Sequence, residues 1–232
     1  MYNKFSIKIT ALAAFLFIIF NFNSCSDNTV STQSDNLDFS YMSSNDTIGN
    51  NINGILVLDT VKILLEDIKL NVANSSDSTN FKTGPYVLYL NLNSSVNLIG
   101  SAYIPVGTYD KVQFEVHQLN SNETVPDPEF RDSVDSYSVI AKGTYLGTRF
   151  VFKSDKSAKQ QLRFTNTLTV TANKSNITLL VRPYLWFIDS NNVYLDPNNP
   201  SNHNTIDNNI NDYIKANFKA FKDNDKNGVP DP

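Results

Sequence analysis

A chain of 232 residues, 41% hydrophobic and 12% aromatic, carries enough apolar side chain to build a sizeable core. Its 19 basic and 23 acidic residues leave a net charge of −4 with no basic cluster, which argues against nucleic acid as a partner. One cysteine excludes a disulfide within the monomer, and two histidines more than eighty residues apart offer no His-x-x-His or Cys-pair metal site.

Residues 1–24 read as a secretory leader. Lys4 and Lys8 form a basic start, and residues 9–20 form an apolar run interrupted by Thr10. About 12 residues are too few to cross a hydrocarbon core of roughly 30 Å as a helix. The run ends at Asn21-Phe22-Asn23-Ser24-Cys25. This junction resembles the lipobox of bacterial lipoproteins, whose cysteine is lipidated and becomes the mature N-terminus. Ser24 matches the small residue before that cysteine, while Phe22 departs from the usual leucine. The resemblance implies that Cys25 is the lipidation site and that its acyl chains, palmitate among them, form a membrane anchor. Ser26 differs from the aspartate that holds Gram-negative lipoproteins in the inner membrane, so the implied location is the outer membrane, on its periplasmic or surface side.

Without the leader about 207 residues remain, with 17 basic against 23 acidic, or −6. Residues 25–53 are rich in Ser, Asn, Asp and Thr and read as a flexible tether. Within it, Phe39 to Met42 carries a weak strand signal. From Gly54 the texture becomes that of a β-domain reaching to about residue 190. Val61, Ile63 and Leu65 alternate, then Ile68, Leu70 and Val72 alternate in the opposite phase, as half-buried strands do. The shift predicts a bulge at Glu66-Asp67. Residues 74–80 read as a polar loop, 86–92 as a strand and 96–99 as a short apolar piece.

Pro105-Val106-Gly107-Thr108-Tyr109 then forms a turn before a strand with Val112, Phe114 and Val116 inward. This Pro-x-Gly-x-Tyr turn ahead of an alternating strand is similar to transthyretin-like and related Ig-like β-sandwich modules of bacterial surface proteins. It also resembles an uncharacterised domain of Gram-negative lipoproteins. The resemblance implies a mainly β fold, an antiparallel β-sandwich, and is silent on activity.

Residues 120–135 read as an acidic loop. Residues 137–145 and 148–153 form a hairpin about Leu146-Gly147. Strand signals follow at 161–164 and 168–172. Residues 173–176 turn the chain, and Ile177, Leu179 and Val181 pair back on that strand until Pro183 closes it. Trp186, the one tryptophan, is expected in the core. Residues 191–232 read as an amphipathic helix plus an acidic tail. Thr205 caps the helix, Ile206, Ile210, Tyr213, Ile214, Asn217, Phe218 and Phe221 form its apolar stripe, and Lys215, Lys219 and Lys222 sit near its end.

The one chemical motif follows directly, at Asp223-Asn224-Asp225-Lys226-Asn227-Gly228-Val229-Pro230-Asp231. Oxygen side chains at positions one, three, five and nine with Gly at six match the front of an EF-hand loop, and Val229 offers its carbonyl. A hard cation needs several converging oxygens, and the glycine allows the sharp bend. The segment resembles the opening of a thrombospondin type 3 repeat or a dockerin-type loop. That resemblance implies Ca2+ on Asp223, Asp225, Asn227, Val229 and Asp231. Without a twelfth-position carboxylate, binding should be weak, in or above the ~10⁻⁴–10⁻³ M range. The plain alternative is a solvated acidic tail.

No nucleophile elbow or phosphate cradle is present. Glu123, Asp127, Glu129 and Asp132 share one loop, with Glu115 in reach, and a glycosidase pair there is the least favoured reading. The chain is therefore expected to be non-enzymatic, with no catalytic residues. It reads as a binding or adhesion module for a glycan or a partner protein, held to a membrane by its anchor. The alternative is a pilus-like structural subunit that pairs sheet edges with its neighbours.

Overall fold

The computed structural model describes residues 33–44 and 54–232; the leader, Cys25 and the remainder of the tether lie outside the described residues. Among the described residues the fold is mainly β, with two sheets rich in antiparallel pairs and a single α-helix near the C-terminus.

The larger sheet is built around β2 (Leu56–Val72), whose 17 residues are long enough to serve four neighbours. β7 (Val139–Tyr145) pairs with its first half and β6 (Gly107–Val116) with its second. The two meet at Leu64, whose N–H donates to the Ser138 carbonyl at 2.8 Å and whose carbonyl accepts the His117 N–H at 2.9 Å. β4 (Tyr86–Leu90) and β3 (Ser78–Lys82) also pair with β2, in the same end-to-end order. β8 (Thr148–Ser154) flanks β7, and β9 (Ala158–Val170) flanks β6. The opposed phases within β2 have the expected cause: the register slips between Glu66 and Lys69, and Asp67 sits at φ +48°. The polar stretch 74–80, expected as loop, enters β3 at Ser78, because sheet pairing overrides its polarity.

The smaller sheet runs β11 (Lys219–Lys222), β10 (Ser175–Val181), β1 (Leu37–Ser43), β5 (Asn97–Ala102). β1 and β10 pair in parallel from Leu37–Ser175 to Ser43–Val181. This corrects two expectations. Part of the segment read as tether is a central strand. Residues 177–181 do not fold back on β9; they join the other sheet. Alternation showed one buried face, but β1 and β10 are buried on both faces, including Asp38, Ser40, Asn176 and Thr178. These polar residues mimic a solvent face in the sequence. In the fold three of them bond one another, the Ser40 hydroxyl donating to Asn176 Oδ1 at 2.7 Å and the Asn176 amide to the Thr178 hydroxyl at 3.0 Å, while Asp38 accepts from Ser101.

Leu37, Phe39, Ile63, Val112, Ile177, Leu179 and Trp186 share one apolar core, and Val112, Phe114 and Val116 of β6 point into it as the alternation required. Tyr109 is buried, and its hydroxyl donates to the Pro105 carbonyl at 2.8 Å, closing the turn that precedes β6. The β7–β8 turn is a two-residue hairpin with Leu146 and Gly147 at φ +48° and +81°. A small second cluster, Leu64, Leu119, Phe130 and Ile140, lies beneath residues 120–135.

The helix, α1, spans Pro200–Ala216. Its cap is Asn199, whose side chain accepts the Ser201 N–H at 3.0 Å, with Pro200 in the first turn. Thr205 is therefore inside the helix rather than capping it. Ile206, Ile210 and Ile214 are buried as the helical spacing implied. The stripe does not continue: after Ala216 the chain re-enters the sheet, and Phe221 belongs to β11, paired with Thr178 of β10. Lys219 and Lys222 are strand residues, while Lys215 does stand in the last helical turn. Residues 191–232 thus contribute a sheet strand as well as a helix.

Candidate functional site

The acidic C-terminal loop lies directly beyond β11 and covers the polar face of β10 and β1. Asp223 is fully buried. Its Oδ2 accepts the Thr178 hydroxyl at 2.7 Å and the Gly228 N–H at 3.2 Å; its Oδ1 accepts the Asn227 N–H at 3.0 Å. Asp225 is exposed and accepts the Asn227 side-chain amide at 2.7 Å. Asp231 Oδ2 accepts the Asn224 N–H at 2.8 Å. One carboxylate oxygen from each of Asp223, Asp225 and Asp231 lies within 4.8 Å of the others. Asn227 Oδ1 accepts the Val229 N–H at 2.7 Å, and the Val229 side chain is exposed. Gly228 has φ +80°, which favours glycine, and a Cβ there would fall 2.9 Å from Met42 Sδ, so the flexible thioether would also have to move. Lys226 reaches away from the loop's own acids and pairs with Asp38 at 2.8 Å. Burial works to raise the Asp38 pKa, but Lys174, Lys226 and Ser101 outweigh it, and the carboxyl is held below its ordinary range.

The second acidic loop, 120–135, is organised differently. Lys62, from β2, bridges Asp127 and Glu129 at 2.6 Å each, and Lys142 also pairs with Glu129. The Tyr89 hydroxyl donates to Asp127 at 2.6 Å. Burial pushes Asp127 up, yet the bonds from Lys62, Tyr89 and the Glu129 N–H hold it down at about 2. Glu129 is lowered by Lys142 and Lys62, and Glu123 by His117 and the Asn120 N–H. Asp132 is lowered by the N–H of Asp135 and by Tyr137, whose own hydroxyl is raised to about 12 by that bond. A general acid needs a carboxyl raised toward neutrality. Glu123, Asp127, Glu129 and Asp132 are shifted the other way.

His117 is buried, with Nε2 2.8 Å from Glu123 and Nδ1 3.3 Å from Glu66. Donor atoms of the three lie within 4.8 Å of one another. The two ring nitrogens diverge, however, so the glutamates clamp the imidazole from both sides rather than sharing one ion with it. This ties the 120–135 loop to the bulge of β2. His203 is exposed and lies against Phe152 with ring centroids 4.8 Å apart.

The third feature was not visible in the sequence. A slot of about 320 Å³ lies between β4 and β5, lined by Tyr41, Lys82, Tyr86, Val87, Leu88, Tyr89, Leu98 and Ile99. Tyr89 and Leu98 are 53% and 54% exposed, although they flank a core. The Tyr41 hydroxyl donates to the Tyr89 carbonyl at 2.5 Å and accepts the Asn91 N–H at 3.3 Å, closing the β4 edge at that end only and leaving Val87 and the Tyr89 N–H uncovered by it. Lys62, Tyr41 and Tyr89 gave no signal beforehand, because a polar or aromatic residue in an alternating strand looks the same whether solvated or partnered. No protein-family model, no curated protein and no solved structure matches this chain.

Proposed function

We propose that this chain is an outer-membrane lipoprotein, anchored through acyl chains on Cys25, whose sheets form a non-enzymatic binding module for a partner protein. The Pro105-Val106-Gly107-Thr108-Tyr109 turn supports a transthyretin-like or Ig-like sandwich of the kind carried by such lipoproteins. The observation that carries the choice of partner is the open β4 edge, an extended backbone beside an apolar slot, which suits another chain better than a sugar. A glycan face would be expected to carry a row of exposed aromatics. Among the described residues the exposed aromatics are Tyr89 and Tyr103, which stand on different segments. The depressed carboxylates of the 120–135 loop support a module that recognises rather than reacts. A pilus-like assembly subunit would draw on β8 as well, but there Arg149 and Lys153 flank the exposed Val151, and such charges oppose strand pairing. Calcium, held weakly by Asp223, Asp225, Asn227, the Val229 carbonyl and Asp231, stiffens the chain end over β10 and β1; the convergence of three carboxylates supports this.

Two experiments test the reading. Cys25→Ala should move the protein from the membrane fraction to the soluble periplasm; continued membrane fractionation defeats the anchor. The leaderless protein should bind host envelopes saturably, and protease treatment of the envelopes should abolish that binding. Binding that survives protease but not periodate would replace the protein partner with a glycan.

A further inference from the structure

Within this partner-protein reading, on which it rests, we infer that the β4 slot receives the C-terminal strand of the partner, added antiparallel to β4 with its chain-end carboxylate on Lys82. The backbone decides which groups are free. Leu64 turns both its N–H and its carbonyl toward β7 and β6, at Ser138 and His117. Its partner across β4 is Val87. In an antiparallel ladder, opposed residues bond each other or both turn outward, so Val87 and, two residues on, Tyr89 turn their N–H and carbonyl groups away from β2. The Tyr89 carbonyl accepts from Tyr41, which agrees with that phase. The Val87 N–H, the Val87 carbonyl and the Tyr89 N–H remain along the edge, where no described strand pairs with β4.

The slot's chemistry fits an extended chain that ends there. Leu88, Leu98 and Ile99 supply apolar wall for alternate side chains. The Lys82 ammonium lies 4.9 Å from the Tyr86 ring centroid and has no carboxylate partner among the described residues. It stands at the N-terminal end of β4, and a strand running antiparallel to β4 ends at that point. A terminal carboxylate there meets an unpaired cation, which fixes both the direction and the register of the added strand.

The probe is the peptide Thr-Val-Thr-Val-Thr-Val with a free C-terminus, titrated into the leaderless protein and followed by amide chemical shifts. Shifts should centre on Val87, Tyr89, Leu98 and Ile99. The C-terminal amide of the same peptide and the Lys82→Gln variant should each weaken binding about ten-fold. Val87→Pro removes only an N–H that faces away from β2, so it should unfold at nearly the wild-type temperature while losing the peptide. Undiminished binding by a folded Val87→Pro, equal binding of acid and amide, shifts centred elsewhere, or no binding at about 1 mM peptide would overturn the assignment. Protease-sensitive envelope binding that persists in Val87→Pro removes the slot but keeps the module. Its absence from wild-type protein removes the module itself.

Discussion

The two acidic loops, 120–135 and 223–231, look alike in composition and differ in what neutralises them. In the first, Asp127 and Glu129 meet Lys62, Glu129 meets Lys142, and Glu123 meets His117. In the second, Asp223 and Asp225 accept only hydroxyl and amide hydrogens, Asp231 has Lys222 at a distant 3.9 Å, and the loop's own Lys226 turns to Asp38. The lesson is that a count of carboxylates says little about a cation site; the origin of the compensating charge decides. A lysine reaching across a sheet makes a structural lock. Carboxylates converging with a single lysine at the 3.9 Å limit of an ion pair leave room for an ion.

The comparison can be broken most forcefully at Asp223. Asp223→Ala strands the Thr178 hydroxyl and the Asn227 and Gly228 N–H groups, and should cost about 3–4 kcal/mol in urea unfolding. A loss below about 1 kcal/mol would mean that the loop is not seated on β10 as the bonds require. Next comes Lys62→Met in the other loop, with an expected loss of about 2 kcal/mol at pH 7. It carries a pH signature. Asp127 is held at about 2, below its ordinary 3.8, so its contribution is complete above the ordinary value and disappears as pH falls from about 4 toward 2. The wild type should lose stability across that window, and Lys62→Met should lose less of it; parallel curves would detach Asp127 from Lys62.

Gly228→Ala comes third, at about 1–2 kcal/mol, from its positive φ and its approach to Met42. Met42→Ala in the same background should return part of that loss, since the thioether is the obstacle; no return would leave φ as the whole cause. The smallest effect is the metal's. With a dissociation constant of about 1 mM, 5 mM calcium stabilises by about 1 kcal/mol, or a rise of a few degrees in Tm. Asp225→Ala should abolish this rise at little cost to the apo protein, because Asp225 is exposed. Asp127→Asn should leave it intact. A rise that follows Asp127 instead would reverse the contrast between the loops.

By itself the sequence determined where most strands of the larger sheet lie and which way β6 faces, because a period of two in Val112, Phe114 and Val116 is a direct record of one buried face. It also marked the Leu146-Gly147 hairpin, the bulge of β2 and the oxygen spacing of the C-terminal loop, all of which depend on near neighbours alone. Only the tertiary structure decided that β1 pairs with β10, 138 positions along at Leu37–Ser175, and that Phe221 leaves the helical stripe to join a sheet. It alone brought Lys62 to Asp127 and opened the β4 edge beside Leu98. The physical reason is that side-chain alternation encodes exposure to one face or another, whereas strand partners are chosen by backbone hydrogen bonds that every residue offers equally.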